Sequence, residues 1–152
     1  MKEFKDIYIE ATDKTPQIDF NHHTGELILS GKSIPENAYN IYEPLFKWVH
    51  EYINDPRPLT NLRLNLEYFN TASSIWLSKI IKTLAKIKDP DNVLLIHSYF
   101  DLEEFENMES EDIKDTLGQF VDVLSTATVS IGVKIYGTDD KGAVIKESIV
   151  LI

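Results

Sequence analysis

The segment from Leu62 to Lys79 changes directly from a strand pattern to a helix pattern, and this change constrains the fold most. Leu62, Leu64 and Leu66 alternate with polar residues, as in a strand with one apolar face. From about Ala72 onward the apolar residues recur at helical spacing instead. Because a strand that leads into a helix usually returns to a parallel neighbour in the same sheet, the segment predicts an α/β fold.

Three hydroxyl residues, Thr71, Ser73 and Ser74, lie at the joint between this strand and this helix. The first amide N–H groups of a helix have no intrahelical partner, and the peptide dipoles give that end a partial positive charge. One interpretation is therefore capping alone, with Asn70 or Thr71 as the N-cap and both serines exposed in the first turn. The other is phosphorylation, which adds about −1.5 to −2 charges that the fold tolerates but a bound partner does not.

The helical pattern predicts three helices. The first runs from about Glu36 to Tyr52 and contains Pro44, which either kinks the helix or restarts it. The second runs from about Ala72 to Lys88. A third is expected in the second half of the acidic stretch Asp101–Asp115 and beyond it. The inner stripe of this third helix consists of Ile113, Leu117, Phe120, Val121 and Leu124.

Short apolar or alternating runs bounded by turn residues predict the remaining strands. These runs are Ile7–Ala11, Ile18–Phe20, Leu27–Leu29, Val93–Ile96, Val129–Ile135 and Ala143–Ile152. The second and third form a hairpin, and a GTDDKG loop joins the last two into a closing C-terminal β-hairpin. No repeat, linker or low-complexity segment interrupts the chain. We therefore expect residues 1–152 to form a single domain, a mixed β-sheet with helices packed on it.

Composition excludes several classes of function. The chain has 152 residues, no cysteine and a formal net charge of −10. The charge argues against a nucleic-acid backbone or an anionic membrane as the main partner. No apolar run approaches the roughly 20 residues of a membrane-spanning helix. We expect a cytoplasmic protein that binds neither nucleic acid nor membrane.

The histidines and acidic residues do not form a convincing catalytic set. His22 and His23 are adjacent and would point apart in a strand, so a surface pair in the hairpin loop is the favoured interpretation. His50 and His97 have no nearby partner in the sequence. The acidic run 101–111 does not match an EF-hand loop, and no common hydrolase, phosphate-loop or dinucleotide motif occurs. We expect a protein that is not an enzyme and has no cofactor and no metal.

Two sequence blocks carry a resemblance to a known family. One is S-x-PENA-x-x-x-YEP, from Ser33 to Pro44, and the other is YFNT-x-SS, from Tyr68 to Ser74. With an early Thr-Pro pair, they resemble the SiaC family of bacterial regulatory phosphoproteins over about residues 6–100. The resemblance implies a STAS-like fold, similar to that of anti-sigma factor antagonists. The region after residue 100 is longer than the family leads one to expect.

The resemblance also implies a partner-switching cycle in signal transduction. A protein kinase would phosphorylate Thr71, and a metal-dependent serine/threonine phosphatase would remove the phosphate. The unphosphorylated form would bind and activate a diguanylate cyclase, which links the switch to cyclic-di-GMP and biofilm formation. The residues expected at the partner-binding surface are Tyr68, Phe69, Asn70, Ser73, Ser74, Trp76, Pro35, Glu36 and Asn37.

Two alternatives to this cycle stay open at the level of the sequence. The first is a STAS-like binding module that recognises a protein partner or a small anion at the same joint without being phosphorylated. The second is an enzyme that uses the acidic loop and a histidine with a metal.

Overall fold

The computed structural model describes residues 4–107 and 126–151. The strands are β1 (Ile7–Ile9), β2 (Gln17–Asn21), β3 (Glu26–Ser33), β4 (Leu59–Phe69), β5 (Val93–Asp101), β6 (Ser130–Thr138) and β7 (Val144–Leu151). The helices are α1 (Ala38–Tyr52), α2 (Thr71–Leu84) and α3 (Leu102–Asn107). No helix in these two ranges is both long and apolar enough to cross a membrane.

All seven strands of the described residues belong to one mixed sheet, in the order in which they occur along the chain. The pairs β3–β4, β4–β5 and β5–β6 are parallel, and the outer pairs β1–β2, β2–β3 and β6–β7 are antiparallel. The predicted mixed sheet, the early hairpin and the closing hairpin are confirmed. The parallel pairing of β3 with β4 and of β4 with β5 follows from α1 and α2, which connect these strands in turn.

Both long helices lie on the same face of the sheet, since successive right-handed crossovers advance in one direction along it. The core between the helices and the sheet is apolar on both sides. Its largest fully buried side chains are Tyr42, Tyr52, Phe20, Ile18, Leu27, Leu29, Leu45, Leu62, Ile80, Ile81, Leu84 and Ile87. In α2, the apolar residues at helical spacing are buried as expected, namely Leu77, Ile80, Ile81 and Leu84. In α1, Trp48 is buried as well, although it is not among the residues of the predicted apolar stripe, which are Ala38, Ile41, Tyr42, Leu45, Val49 and Tyr52.

Element boundaries differ from the prediction at several points. The helix α1 continues through Pro44 without restarting, because core contacts on both sides of the proline outweigh its missing hydrogen bond. The helix α2 ends at Leu84, and β5 extends to Asp101, well beyond the predicted apolar run. The continuous apolar run Val93–Ile96 is typical of a strand covered on both faces, but burial alternates along the first residues of β5, so one face is less covered than the other.

The region after β5 begins with the short helix α3. The Asp101 carboxylate caps it by accepting a hydrogen bond from the Glu104 amide at 2.7 Å. The Phe105 ring packs so closely on β6 that a Cβ at Gly137 would lie 2.9 Å from it. The longer helix predicted around Ile113 to Leu124 lies outside the described residues, as does the end of the acidic run.

Candidate functional site

Asn70 is the N-cap of α2 and connects the helix to the loop after β3. Its Oδ1 accepts a hydrogen bond from the Ser73 amide at 2.9 Å, and its Nδ2 donates one to the Pro35 carbonyl at 3.2 Å. The Asn70 amide also donates to the Ser33 carbonyl at 2.9 Å. Of the two capping candidates, the structure therefore selects Asn70, and Thr71 is left without this role.

Thr71 is the first residue of α2, and it is exposed. Within the described part of the chain, its hydroxyl has no hydrogen-bond partner, and nothing accepts from the amides of Thr71 and Ala72. The first turn of the helix contains no acidic residue. A hydroxyl, free amides and the positive end of the helix dipole therefore meet at one accessible point, which suits a phosphate group.

Ser73 is fully buried, so the prediction that it is exposed in the first turn is wrong. Its hydroxyl donates to the Ser33 carbonyl at 3.0 Å and accepts from the Ser33 hydroxyl at 2.8 Å. The Tyr42 hydroxyl in turn donates to Ser33 Oγ. Burial raises the pKa of Tyr42, against the effect of these hydrogen bonds. This hydroxyl chain joins β3, α1 and α2, so Ser73 holds the helix in place and cannot contact a partner.

The other predicted partner-binding residues differ in exposure. Ser74 is half-buried, and its hydroxyl donates to the Thr71 carbonyl at 2.9 Å. Pro35 is buried, which corrects the expectation that its side chain contributes to a binding surface. Glu36 is exposed and lies 3.4 Å from the Lys14 ammonium. Asn37 is exposed at the N-cap position of α1, where its side chain makes no cap hydrogen bond.

A bulge near the end of β4 orients the two aromatic residues that precede Asn70. In the pairing with β3, Gly31 faces Leu66 while Lys32 faces Tyr68, so Glu67 is the extra residue. Tyr68 consequently lies beside Lys32, whose Nζ is 6.0 Å from the ring centroid. The exposed fractions of Tyr68 and Phe69 are 64% and 56%. Both aromatic residues are accessible, but the bulge interrupts the simple alternation predicted from the leucines.

Trp76 lies in an aromatic contact between the two long helices. Its ring centroid is 5.9 Å from that of Tyr39 and 6.0 Å from that of Phe46, and the Lys79 ammonium lies 4.5 Å from it. Tyr39 is exposed, as is Ile75 one turn after Thr71. We call Tyr39, Phe69, Ile75 and Trp76 the docking face. Sequence reasoning missed Tyr39 and Ile75, although both are large apolar residues outside the buried helical stripes.

His97 follows directly after the predicted strand Val93–Ile96, but it lies inside β5 because that strand continues to Asp101. It is buried on the sheet face away from the helices, where its two ring nitrogens lie 2.7 Å from Asn61 Oδ1 and 2.7 Å from Tyr136 Oη. Burial, reinforced by the positive charge of Arg63, lowers the pKa of His97 to about 4. His97 is therefore a neutral structural residue of the sheet at neutral pH.

The predicted pair in the hairpin loop is confirmed for His22 and His23, and their rings do not point apart as they would in a strand. They lie in the turn between β2 and β3, where their ring centroids are 4.0 Å apart. The Asn21 side chain shapes this turn by accepting from the amides of His23 and Thr24 at 2.9 Å and 3.2 Å. His22 also contacts Asp6, which comes from the segment before β1.

Comparison with known proteins places this arrangement in a family context. A model of the SiaC family, described as regulatory phosphoproteins, matches residues 9–127. The structure of SiaC of Pseudomonas aeruginosa is 28% identical and has a TM-score of 0.59; the match covers 67% of this chain and 89% of that one. An uncharacterised protein of P. aeruginosa strain UCBPP-PA14 is 28% identical over 96 residues, which are 63% of this chain and 76% of the relative.

A second solved structure shows the same fold at lower identity. It is the crystal structure of the P. aeruginosa diguanylate cyclase SiaD in complex with its activator SiaC. The match is 21% identical with a TM-score of 0.65, and it covers 86% of this chain and 100% of the matched chain. The family match extends beyond the region of about residues 6–100 that carries the sequence resemblance.

Proposed function

Because this chain belongs to the SiaC family of regulatory phosphoproteins, we propose that it is a non-enzymatic partner-switching regulator controlled by phosphorylation of Thr71. A protein kinase adds the phosphate and a metal-dependent serine/threonine phosphatase removes it. The unphosphorylated form docks on a diguanylate cyclase and activates it, as the relative in the SiaD complex is described as an activator. The family match and the accessible helix N-terminus support this proposal together.

The observation that carries the proposal is the position of Thr71. Of the three hydroxyl residues at the joint, Ser73 is buried, and the Ser74 hydroxyl donates a hydrogen bond to the helix backbone. Thr71 is exposed, and its hydroxyl has no hydrogen-bond partner among the described residues. A kinase can therefore reach Thr71 without opening the fold. The phosphate would meet free amides and the positive end of a dipole, an interaction typically worth about 0.3–1 kcal/mol.

The same phosphate affects a docked complex in the opposite direction. Thr71 adjoins the docking face, whose exposed side chains are largely apolar. A partner that covers this face would have to remove water from a group of about −1.5 to −2 charges, and without a matching cation this costs several kcal/mol. Phosphorylation therefore leaves the protein folded while it prevents the complex.

Phosphopeptide mapping of protein from its native cells tests the acceptor. Trypsin releases one peptide, residues 64–79, that contains Thr71, Ser73 and Ser74, so fragment ions must locate the phosphate within it. We expect the phosphate on Thr71 under at least one growth condition. Phosphate found only on Ser74, or no phosphate under any condition, contradicts the proposal. The second outcome would favour the alternative of a binding module that works unmodified.

Cyclase activation by defined variants tests the switch. We expect the wild-type chain and Thr71→Ala to stimulate cyclic-di-GMP synthesis by a diguanylate cyclase of the same organism. Thr71→Glu should bind that cyclase at least about tenfold more weakly, since each 1.4 kcal/mol corresponds to a factor of ten. Thr128→Glu is the matched control, because Thr128 is exposed and lines a surface hollow together with Lys82, near the other end of α2. Equal binding by the two glutamate variants would overturn the proposal.

A further inference from the structure

A group of potential metal ligands lies far from the docking face, where the segment before β1 meets the turn between β2 and β3. Asp6, His22 and His23 each offer one ligand atom there, and these three atoms lie within 4.8 Å of one another. The site and Thr71 are at opposite ends of the sheet. The turn precedes β3, and the last residue of β3, Ser33, lies beside the start of α2. Eight strand residues at about 3.3 Å each separate the two regions by about 25 Å.

We propose that Asp6, His22 and His23 bind a divalent transition metal, with Zn²⁺ as the favoured ion. Two imidazoles and one carboxylate are a donor set that suits zinc, copper and nickel, whereas calcium and magnesium prefer oxygen ligands. Three protein ligands leave a fourth position of a tetrahedral site for water.

The distances are compatible with such a site. Ligand atoms around tetrahedral zinc lie about 3.3 Å apart, given bonds of about 2.0–2.1 Å. The His22 Nδ1 atom already contacts Asp6 Oδ1. His23 is exposed, and its ring nitrogens have no hydrogen-bond partner in the described ranges, so its side chain is free to rotate. Rotations that move the ligand atoms by about 1 Å would therefore bring the set to coordination distance.

The protonation states also suit a metal. Partial burial acts to raise the pKa of Asp6, but the hydrogen bonds from His22 outweigh it and hold this pKa below its ordinary value. The carboxylate is therefore ionised at neutral pH. A metal binds neutral imidazole rings, and the two rings lie close enough for each to offer one nitrogen to the same ion.

Metal binding should hold the segment before β1 more firmly against the turn between β2 and β3. Phe4 contacts both His22 and Trp48, with ring centroids 4.9 Å apart in each case. The Trp48 indole donates a hydrogen bond to the Lys5 carbonyl at 2.8 Å. The residues on either side of Asp6 thus lie against Trp48, whose fluorescence should report metal binding.

Calorimetric titration of the untagged, metal-free protein with Zn²⁺ tests the proposal. We expect one saturable site per chain in the micromolar range, a change in tryptophan emission and a rise in Tm on addition of Zn²⁺. His22→Gln and His23→Gln should each weaken binding at least about tenfold, because loss of a ligand should cost at least as much as loss of a group that only supports a ligand. His50→Gln is the matched control, since His50 is an exposed histidine on α1 that contacts Phe46 and not this cluster.

His23→Gln decides the outcome, because it removes an exposed ring without a hydrogen-bond partner among the described residues and should leave the fold intact. Zinc binding that is unchanged in His23→Gln overturns the site, as does the absence of saturable binding to the wild-type protein. Thr71→Glu should bind Zn²⁺ like the wild type. The metal proposal can therefore fail while the phosphorylation proposal holds, and the reverse is equally possible.

Discussion

Thr71 and Ser73 are two positions apart at the start of α2, and helical geometry sends their side chains in nearly opposite directions. Each residue advances a helix by about 100°, so positions two apart differ by about 200°. Thr71 consequently faces solvent, whereas Ser73 enters the hydroxyl chain with Ser33 and Tyr42. Composition alone treats the two residues as equivalent acceptors, and only the seating of the helix on the sheet distinguishes them.

Replacement of Ser73 by alanine should reduce stability, because it removes two buried hydrogen bonds, one to the Ser33 carbonyl and one from the Ser33 hydroxyl. Each intramolecular hydrogen bond typically contributes about 0.5–1.5 kcal/mol, so we expect the free energy of unfolding to decrease by about 1–3 kcal/mol. Ser74→Ala, at a half-buried hydroxyl that bonds its own helix, should stay within about 0.5 kcal/mol of the wild type. Urea denaturation followed by tryptophan fluorescence measures both, and equal stabilities would contradict the hydroxyl chain.

At the scale of elements, the strands and long helices follow the sequence pattern closely, whereas their ends do not. The alternation of leucines in β4 predicts that Tyr68 lies on the same face of the sheet as Leu66. The extra residue Glu67 instead pairs Tyr68 with Lys32, on the opposite face. A bulge depends on the neighbouring strand, so the alternation of β4 does not contain it. The end of α2 is a similar case. The helical spacing alone predicts that the helix continues to about Lys88, but α2 ends at Leu84, where a turn follows.

The turn between β2 and β3 requires glycine at position 25. Gly25 has a φ of 77°, and a Cβ added to it would lie 2.4 Å from the Leu59 carbonyl oxygen. Gly142, in the loop before β7, has a φ of 81° but no atom within 4 Å of such a Cβ. Gly142→Ala should therefore lower the free energy of unfolding by only about 1–2 kcal/mol, the cost of a side chain in the left-handed backbone conformation.

Gly25→Ala should lower stability by clearly more than Gly142→Ala, because the start of β4 must also move. Thermal unfolding of the two variants, with circular dichroism to confirm that both fold, measures the difference. Equal losses of stability would mean that the close contact with the Leu59 carbonyl does not constrain the turn.

At the scale of the whole molecule, the stability of the fold should depend on pH through His97. This β5 residue forms hydrogen bonds with Asn61 in β4 and Tyr136 in β6. Burial first, and the charge of Arg63 second, lower its pKa from 6.5 to about 4. The unfolded chain therefore binds more protons than the folded chain between these values, so the folded state loses stability as the pH falls from about 6.5 to about 4. The loss amounts to at most about 3 kcal/mol.

Denaturation of His97→Gln across this pH range tests the assignment. The variant should be less stable at neutral pH, and its stability should depend less on pH between about 4 and 6.5 than that of the wild type. His50→Gln, at an exposed histidine, should keep the wild-type profile. An unchanged slope in His97→Gln would assign the pH dependence to other groups.

Local spacing was sufficient to predict the α/β class, the two long helices, the hairpins and the parallel pairing, because periodicity and turn residues are properties of neighbours in the chain. The resemblance of two short blocks added Thr71 as the candidate acceptor. The exposure of Thr71, the burial of Ser73, the placement of His97 and the approach of Asp6 to His22 were decided only by the tertiary structure. These features depend on contacts between residues 40, 36 and 16 positions apart, respectively Ser33 with Ser73, Asn61 with His97, and Asp6 with His22. Such contacts form only when the sheet brings distant segments together, so no pattern within a single strand or helix contains them.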